Sequence, residues 1–218
     1  MMRRLMELIY PRKCVFCETL LTKDETDLCS VCREALPFVE KQTQHVSYST
    51  RSVAVLYYED HVRDSVLRYK FSGRMSYCAA YGRLLAMTVL ENALQFDLIT
   101  YVPVSRKRRR QRGYDQAERL SKMAARELNV RHERLLTKIR NNPAQSGIHA
   151  PEQRRANVLG VYRVRDRSKV AGQNILLIDD VMTTGATLSE CCRTLLDSGA
   201  ASVSCAALAC GRHNKNSR

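Results

Sequence analysis

An open, parallel α/β sheet flanked by helices, preceded by a small cysteine-held module, is the fold class this sequence predicts. From residue 52 onward, apolar runs of strand length alternate with amphipathic helical stretches. One such unit, Asn174 to Ala200 (NILLIDDVMTTGATLSECCRTLLDSGA), carries two acids and a small-residue loop between its strand and its helix. Ahead of the first strand stand two C-x-x-C pairs in a stretch too short to build a core of its own.

The 218 residues suit one medium domain plus a small appendage. The predicted division is a cysteine module at 1–40, a linker at 41–51, the α/β domain at 52–211 and a polar tail at 212–218. The net charge of +14 is unevenly placed: residues 101–170 hold 19 Lys+Arg against 6 Asp+Glu, and the remainder 17 against 16. A block this positive suits a polyanionic partner, either a pyrophosphate-bearing small molecule or nucleic acid. No apolar run approaches the roughly 20 residues of a membrane span, and no signal-peptide core precedes a small-residue cleavage site, so a cytoplasmic address is expected. Nine cysteines without an export signal argue against a disulfide framework.

Taken in order, Met1–Ile9 has a short helical pattern that Pro11 ends. Cys14, Cys17, Cys29 and Cys32 then form two C-x-x-C pairs separated by eleven residues. Each pair can place two thiolates on one turn, and the two together complete a tetrahedral structural Zn2+ site that substitutes for a hydrophobic core. His45 lies well beyond the cysteines and reads as a surface linker residue.

In the main domain, 52–58 reads as a strand, 61–71 as an amphipathic helix closed by Ser72-Gly73, and 77–94 as a second helix with Cys78 as a half-buried thiol. The run 98–104 reads as a buried strand ending at Pro103. Directly after it, six of the seven residues Arg106 to Arg112 are basic. Loops at the carboxyl ends of strands line the crevice of an open α/β sheet, so this run is a site candidate as well as a solvated basic loop. A helix follows at 117–128, a short strand at 135–139, a polar turn-rich loop from Arg140, and the apolar stretch Val158–Tyr162. The last strand is expected at 201–208, with Cys191, Cys192, Cys205 and Cys210 buried as plain core residues.

The unit from Asn174 is read as a strand over 174–178, acids leaving it, then a loop and a helix over 186–198. Val181, Met182, Thr183, Thr184, Gly185, Ala186 and Thr187 can aim backbone N–H groups and three hydroxyls at one anion, beside the positive end of the following helix. Asp179 and Asp180 stand about one sugar's length away and can accept bonds from vicinal hydroxyls. The predicted ligand is a sugar 5-phosphate. Neither G-x-x-x-x-G-K-[ST] nor G-x-G-x-x-G occurs, which excludes a Walker loop and the dinucleotide fingerprint.

That run resembles the 5-phosphoribosyl-1-pyrophosphate (PRPP) motif of type I phosphoribosyltransferases: four apolar residues, two acids, one apolar residue, then T-T-G-x-T. The wider order of four cysteines, YKFSG at 69–73, V-P-V at 102–104, R-G-Y-D-Q at 112–116, P-A-Q, R-x-x-N and the PRPP loop resembles the ComF family of ComFC-like competence proteins. Two departures stand out. Arg112-Gly113-Tyr114-Asp115-Gln116 replaces R-G-F-N-Q, placing a negative charge near an anion site, and Tyr162 replaces phenylalanine. The resemblance implies a type I phosphoribosyltransferase-like fold. It assigns the ribose hydroxyls to Asp179 and Asp180 and the 5-phosphate to Thr183–Thr187. Ser105, Arg106 and Lys107 become a pyrophosphate loop, with the 108–116 stretch, including Arg112, Gly113 and Gln116, a flexible loop closing over PRPP and Mg2+.

Three functions are weighed. One is a PRPP-binding competence accessory that handles single-stranded DNA beside a helicase, with Tyr101 and Tyr114 offered as stacking residues near a basic groove. The second is an active phosphoribosyltransferase with an unknown acceptor. The third, a DNA-reading ribbon, is disfavoured because Arg12, Lys13, Lys23 and Arg33 are offset by Glu18, Asp24, Glu25, Asp27 and Glu34.

Overall fold

The computed structural model describes residues 11–40, 45–140 and 158–212. The helix expected at Met1–Ile9, the stretch 41–44, the polar loop 141–157 and the tail after 212 lie outside the described residues. The elements in order are α1 (Ser30–Ala35), β1 (Ser52–Tyr57), α2 (Asp60–Phe71), α3 (Tyr77–Glu91), β2 (Leu98–Tyr101), α4 (Arg106–Arg112), α5 (Gln116–Glu127), β3 (Arg131–His132), β4 (Leu136–Lys138), β5 (Tyr162–Val164), β6 (Asn174–Met182), α6 (Ala186–Leu196) and β7 (Ser202–Cys210).

Five strands form one parallel sheet in the order β1-β7-β6-β2-β3, and β4 and β5 pair antiparallel in a small separate sheet. Along β6 the side chains alternate between faces. Leu176 and Ile178 pack with Val66, Tyr69, Tyr81, Leu85, Leu120 and Ala124 of α2, α3 and α5. Ile175 and Leu177 pack with Leu188, Cys191, Cys192 and Leu195 of α6 and with Leu136 and Tyr162 of the small sheet. A strand stretch buried on both faces is apolar at every position, which is why 175–178 reads as an unbroken apolar run. From β2 the chain moves outward to β3, and from β6 it moves the other way to β7. The β2–β6 boundary is therefore the point where strand order reverses, and its carboxyl end is where a ligand crevice opens.

Three local expectations are corrected. The acids do not leave the strand before the loop: β6 continues through Asp179, Asp180 and Val181 to Met182. The equally long β7 supplies ladder partners throughout, with Asp179 opposite Ala207 and Met182 opposite Cys210. β2 ends at Tyr101 rather than at 104, because Pro103 has no N–H and the outer neighbour β3 is only two residues long. The basic run is a helix, not a loop. Ser105 Oγ accepts from the Arg108 N–H at 3.3 Å, Gly113 with φ 80 ends the helix, and the straight side chains between are strong helix formers.

The cysteine module shares its core with the sheet domain. Val15 and Phe16 are buried in the same cluster as α2 and α3, with the Phe16 ring 5.8 Å from Tyr81. Ser65 and Arg68 donate to the carbonyls of Val15 and Phe16, and Arg83 forks onto Asp27 at 2.7 and 2.6 Å. The stretch after residue 44 is likewise tied down: Val46 is buried, and the Thr50 N–H donates to Val203 O at 2.8 Å. An apolar valine within reach of the α6 face is drawn into the core even from a stretch that reads as a connection. His45 is exposed, as expected. Among the described residues no helix is long and apolar enough to cross a membrane.

Candidate functional site

In the cysteine module, the Sγ atoms of Cys14, Cys17, Cys29 and Cys32 all lie within 4.8 Å of one another. Four thiolates about 2.3 Å from one zinc sit about 3.8 Å apart, so the donor set and its spacing fit tetrahedral Zn2+. Cys29 caps α1, its Sγ accepting from the Cys32 N–H at 3.4 Å. All four ligands are sulfur, and three of the four residues are buried. This is the pattern of a structural rather than a catalytic metal.

At the carboxyl end of β6, Asp179, Val181, Met182 and Thr183 line a shallow cleft together with Gly185, Ala186, Thr187 and Leu188. Gly185 has φ 70, and a Cβ there would stand 3.3 Å from Val46 Cγ2 and 3.5 Å from the His45 carbonyl oxygen. Both the turn and the close approach call for glycine. The eleven-residue helix α6 starts directly after it, so its free N–H groups face the loop. Thr184 Oγ1 is buried with no hydrogen-bond partner among the described residues. A buried hydroxyl is normally satisfied, and one left open in such a loop fits a ligand oxygen.

The acid pair is strongly constrained. The Asp180 N–H donates to Asp179 Oδ1 at 2.8 Å. Burial first, and then the charge of Asp180, pushes the Asp179 carboxyl well above the usual range, while Lys70 and the Asp180 N–H oppose the shift. Lys70 Nζ lies 2.9 Å from Asp180 Oδ1. The sequence reading missed this lysine, although it stands inside the YKFSG motif. Its distance in sequence from the acids hides the pairing.

Of the basic and loop residues, Ser105 is a buried helix cap, and Arg106 and Lys107 are exposed on the first turn of α4. Arg112 donates to Gln116 Oε1 at 3.0 Å, and its guanidinium stands 4.7 Å from the Phe71 ring centroid. Burial lowers the Arg112 pKa, with Asp180 acting against that shift. Gln116 is fully buried and donates to the Lys70 carbonyl oxygen at 3.3 Å. Asp115 is buried. It caps α5, accepting from Glu118 N–H at 3.3 Å and from Val104 N–H at 2.9 Å, and burial raises its pKa to about 6 against those two bonds.

Neither tyrosine proposed for base stacking is available. Tyr101 is 1% exposed on a central strand and stacks on His132 at 5.7 Å. Tyr114 is 7% exposed and donates its hydroxyl to the Tyr69 carbonyl. Two further residues approach the acids from the small sheet. Lys138 on β4 has Nζ 5.4 Å from the Tyr162 ring centroid. Burial and then Arg108 lower its pKa to about 8, while Cys191 and Asp179 oppose the shift. Nothing local in the sequence singles it out.

A family model described as Phosphoribosyl transferase domain matches residues 115–218, and one described as Double zinc ribbon domain matches residues 5–44. DNA utilization protein YhgH of Escherichia coli (strain K12) is 29% identical over 220 residues, covering 90% of this chain and 96% of that protein. Competence protein F of Haemophilus influenzae is 24% identical, covering 84% and 90%. Competence protein ComFC of Bacillus subtilis is 32% identical over 154 residues, or 69% of this chain and 60% of that protein. Among solved structures, glutamine PRPP amidotransferase from B. subtilis, complexed with ADP and GMP, aligns with 65% of this chain and 30% of its own at 20% identity and a TM-score of 0.46. With a four-sulfur cluster inside the zinc-ribbon match and a strand-acid-loop-helix unit inside the phosphoribosyltransferase match, the chain is a homologue of these DNA-utilization and competence proteins, carrying a phosphoribosyltransferase domain behind an N-terminal zinc ribbon.

Proposed function

We propose that this protein binds PRPP at the end of β6 and works in the handling of incoming single-stranded DNA in the bacterial cytoplasm, beside a helicase partner. One observation carries the ligand reading: an acid pair and an anion cradle with an unsatisfied buried threonine hydroxyl meet where the sheet reverses its strand order. Asp179 and Asp180 would take the ribose hydroxyls, and the N–H groups and hydroxyls of 183–187 the 5-phosphate. Mg2+ would accompany PRPP, held mainly by the ligand's own oxygens. The DNA part draws on the printed names of the E. coli, H. influenzae and B. subtilis relatives and on α4, whose six basic residues have none buried. Burial of Tyr101 and Tyr114 removes the stacking support, so charge alone carries it.

Calorimetric titration with PRPP and Mg2+ tests the ligand. Binding by the parent chain and its loss in Asp179→Ala/Asp180→Ala is the expected result, and no heat from the parent refutes it. Filter binding of single-stranded DNA across a salt series tests the second part, which fails if no DNA is retained at low salt.

A second reading, phosphoribosyl transfer to an acceptor, is favoured by Lys138. Lys138 is held over the Tyr162 ring and feels the charge of Asp179, and an amine whose pKa is lowered to about 8 suits a general base toward an acceptor. Pyrophosphate release on mixing PRPP, Mg2+ and candidate acceptors is the assay, and this reading fails if none is released.

A further inference from the structure

The YKFSG and RGYDQ stretches lie far apart in sequence yet are interlocked residue by residue. Tyr114 donates its hydroxyl to the Tyr69 carbonyl, and the Tyr69 hydroxyl donates to the Gln116 carbonyl at 2.9 Å. Gln116 Nε2 donates to the Lys70 carbonyl at 3.3 Å, while its Oε1 accepts from Arg112 at 3.0 Å. Arg112 in turn covers Phe71 at 4.7 Å. Helix α2 already buries Val62, Val66 and Tyr69, and its C-terminus is closed by the Ser72 N–H donating to Arg68 O at 2.9 Å. What the additional lock determines is the position of Lys70 at the last turn, with Nζ 2.9 Å from Asp180 Oδ1 and the two side chains only 17% and 14% exposed.

A site for an anionic sugar phosphate that contains two adjacent carboxylates would repel its own ligand. Cations held against those carboxylates offset this, and the lock delivers two of them, Lys70 beside Asp180 and Arg112 within the field of Asp180. In this reading the cradle holds the 5-phosphate end, and Lys70 and Arg112, which come from α2 and α4 and not from the cradle, are left for the other end of the sugar. Resting on the reading of the β6 loop as a PRPP-type site, we propose that Lys70 contacts the ligand directly and selects for negative charge on C1 of the ribose, the diphosphate end.

The test compares PRPP with ribose 5-phosphate by calorimetry on the parent chain, Lys70→Met and Lys70→Arg. A charge-assisted contact is worth about tenfold or more in affinity. Lys70→Met is expected to weaken PRPP binding by at least about tenfold, to leave ribose 5-phosphate within about threefold, and Lys70→Arg to retain most of the preference for PRPP. Equal loss of both ligands would make Lys70 a mere support for Asp180 and overturn the proposal, as would no loss of either. Should Lys70→Met fail to fold, Lys70→Met/Asp180→Asn removes both charges together and is compared with Asp180→Asn alone under the same criterion. A parent chain that binds neither ligand refutes the phosphate site itself and this proposal with it, whereas a parent that binds both with an unselective Lys70→Met refutes only this proposal.

Discussion

Replacing Gly82 by alanine sets two effects against each other. Gly82 lies inside α3, where alanine is intrinsically better by about 1 kcal/mol. A Cβ at this position, however, would stand 2.4 Å from Met123 Cβ, 3.0 Å from Met123 C and 3.1 Å from Ala124 N of α5. Two of these three atoms are backbone, so no rotamer change relieves the clash, and regaining even a tight 3.4 Å contact moves α5 outward by about 1 Å. Overpacking of this kind costs about 1–3 kcal/mol, with the upper end applying where backbone must shift. The clash therefore wins, leaving a net loss of about 1–2 kcal/mol and a melting temperature lower by about 2–8 °C for a chain of this size. Because α5 begins at Gln116, which holds the Lys70 carbonyl, the same shift loosens the acid site and, on the proposed function, weakens PRPP binding. Thermal unfolding by circular dichroism and calorimetric titration read the two effects. A melting temperature equal to or above that of the parent would refute the close α3–α5 packing.

Thr184→Val removes an unsatisfied buried hydroxyl without changing shape, so its melting temperature is expected to hold or rise while ribose 5-phosphate affinity falls about tenfold; equal affinity by calorimetry rejects Thr184 as a ligand. Phe16→Ala costs about 3–5 kcal/mol in urea unfolding, and chelation of zinc lowers the melting temperature of the whole chain rather than of a separate module, since Phe16 packs on Tyr81. Two resolved transitions would contradict that. Burial raises Asp115 to about 6 from 3.8, so between those values the folded protein keeps a proton that the unfolded chain has released. Stability accordingly falls by up to about 3 kcal/mol as pH rises from about 4 to 6, and Asp115→Asn removes that segment of the urea-unfolding pH profile.

The two-faced apolar strand at 175–178, the T-T-G-x-T loop and the doubled C-x-x-C pairs are local patterns that follow from residue type and spacing, so the fold class, the four-sulfur cluster and the strand-to-helix turn were legible without coordinates. The length of β6 was not, because a ladder ends where its neighbour does, and the nine residues of β7 carry Asp179 and Asp180 into the strand. Nor was the helical state of Arg106–Arg112, whose like charges suggested a mobile loop until Ser105 and Gly113 closed its two ends. Asp115 reads as a misplaced charge in sequence and is a helix cap in space, while Tyr101 and Tyr114 read as stacking platforms and are core residues.

By itself, then, the sequence determined the strand-acid-loop-helix unit and the four-sulfur site, since each is completed within a few dozen consecutive residues. Only the tertiary structure decided what neutralises the acid pair. Lys70 stands 110 residues before Asp180, and it meets that acid only because packing against α5 turns the end of α2 toward the carboxyl edge of the sheet.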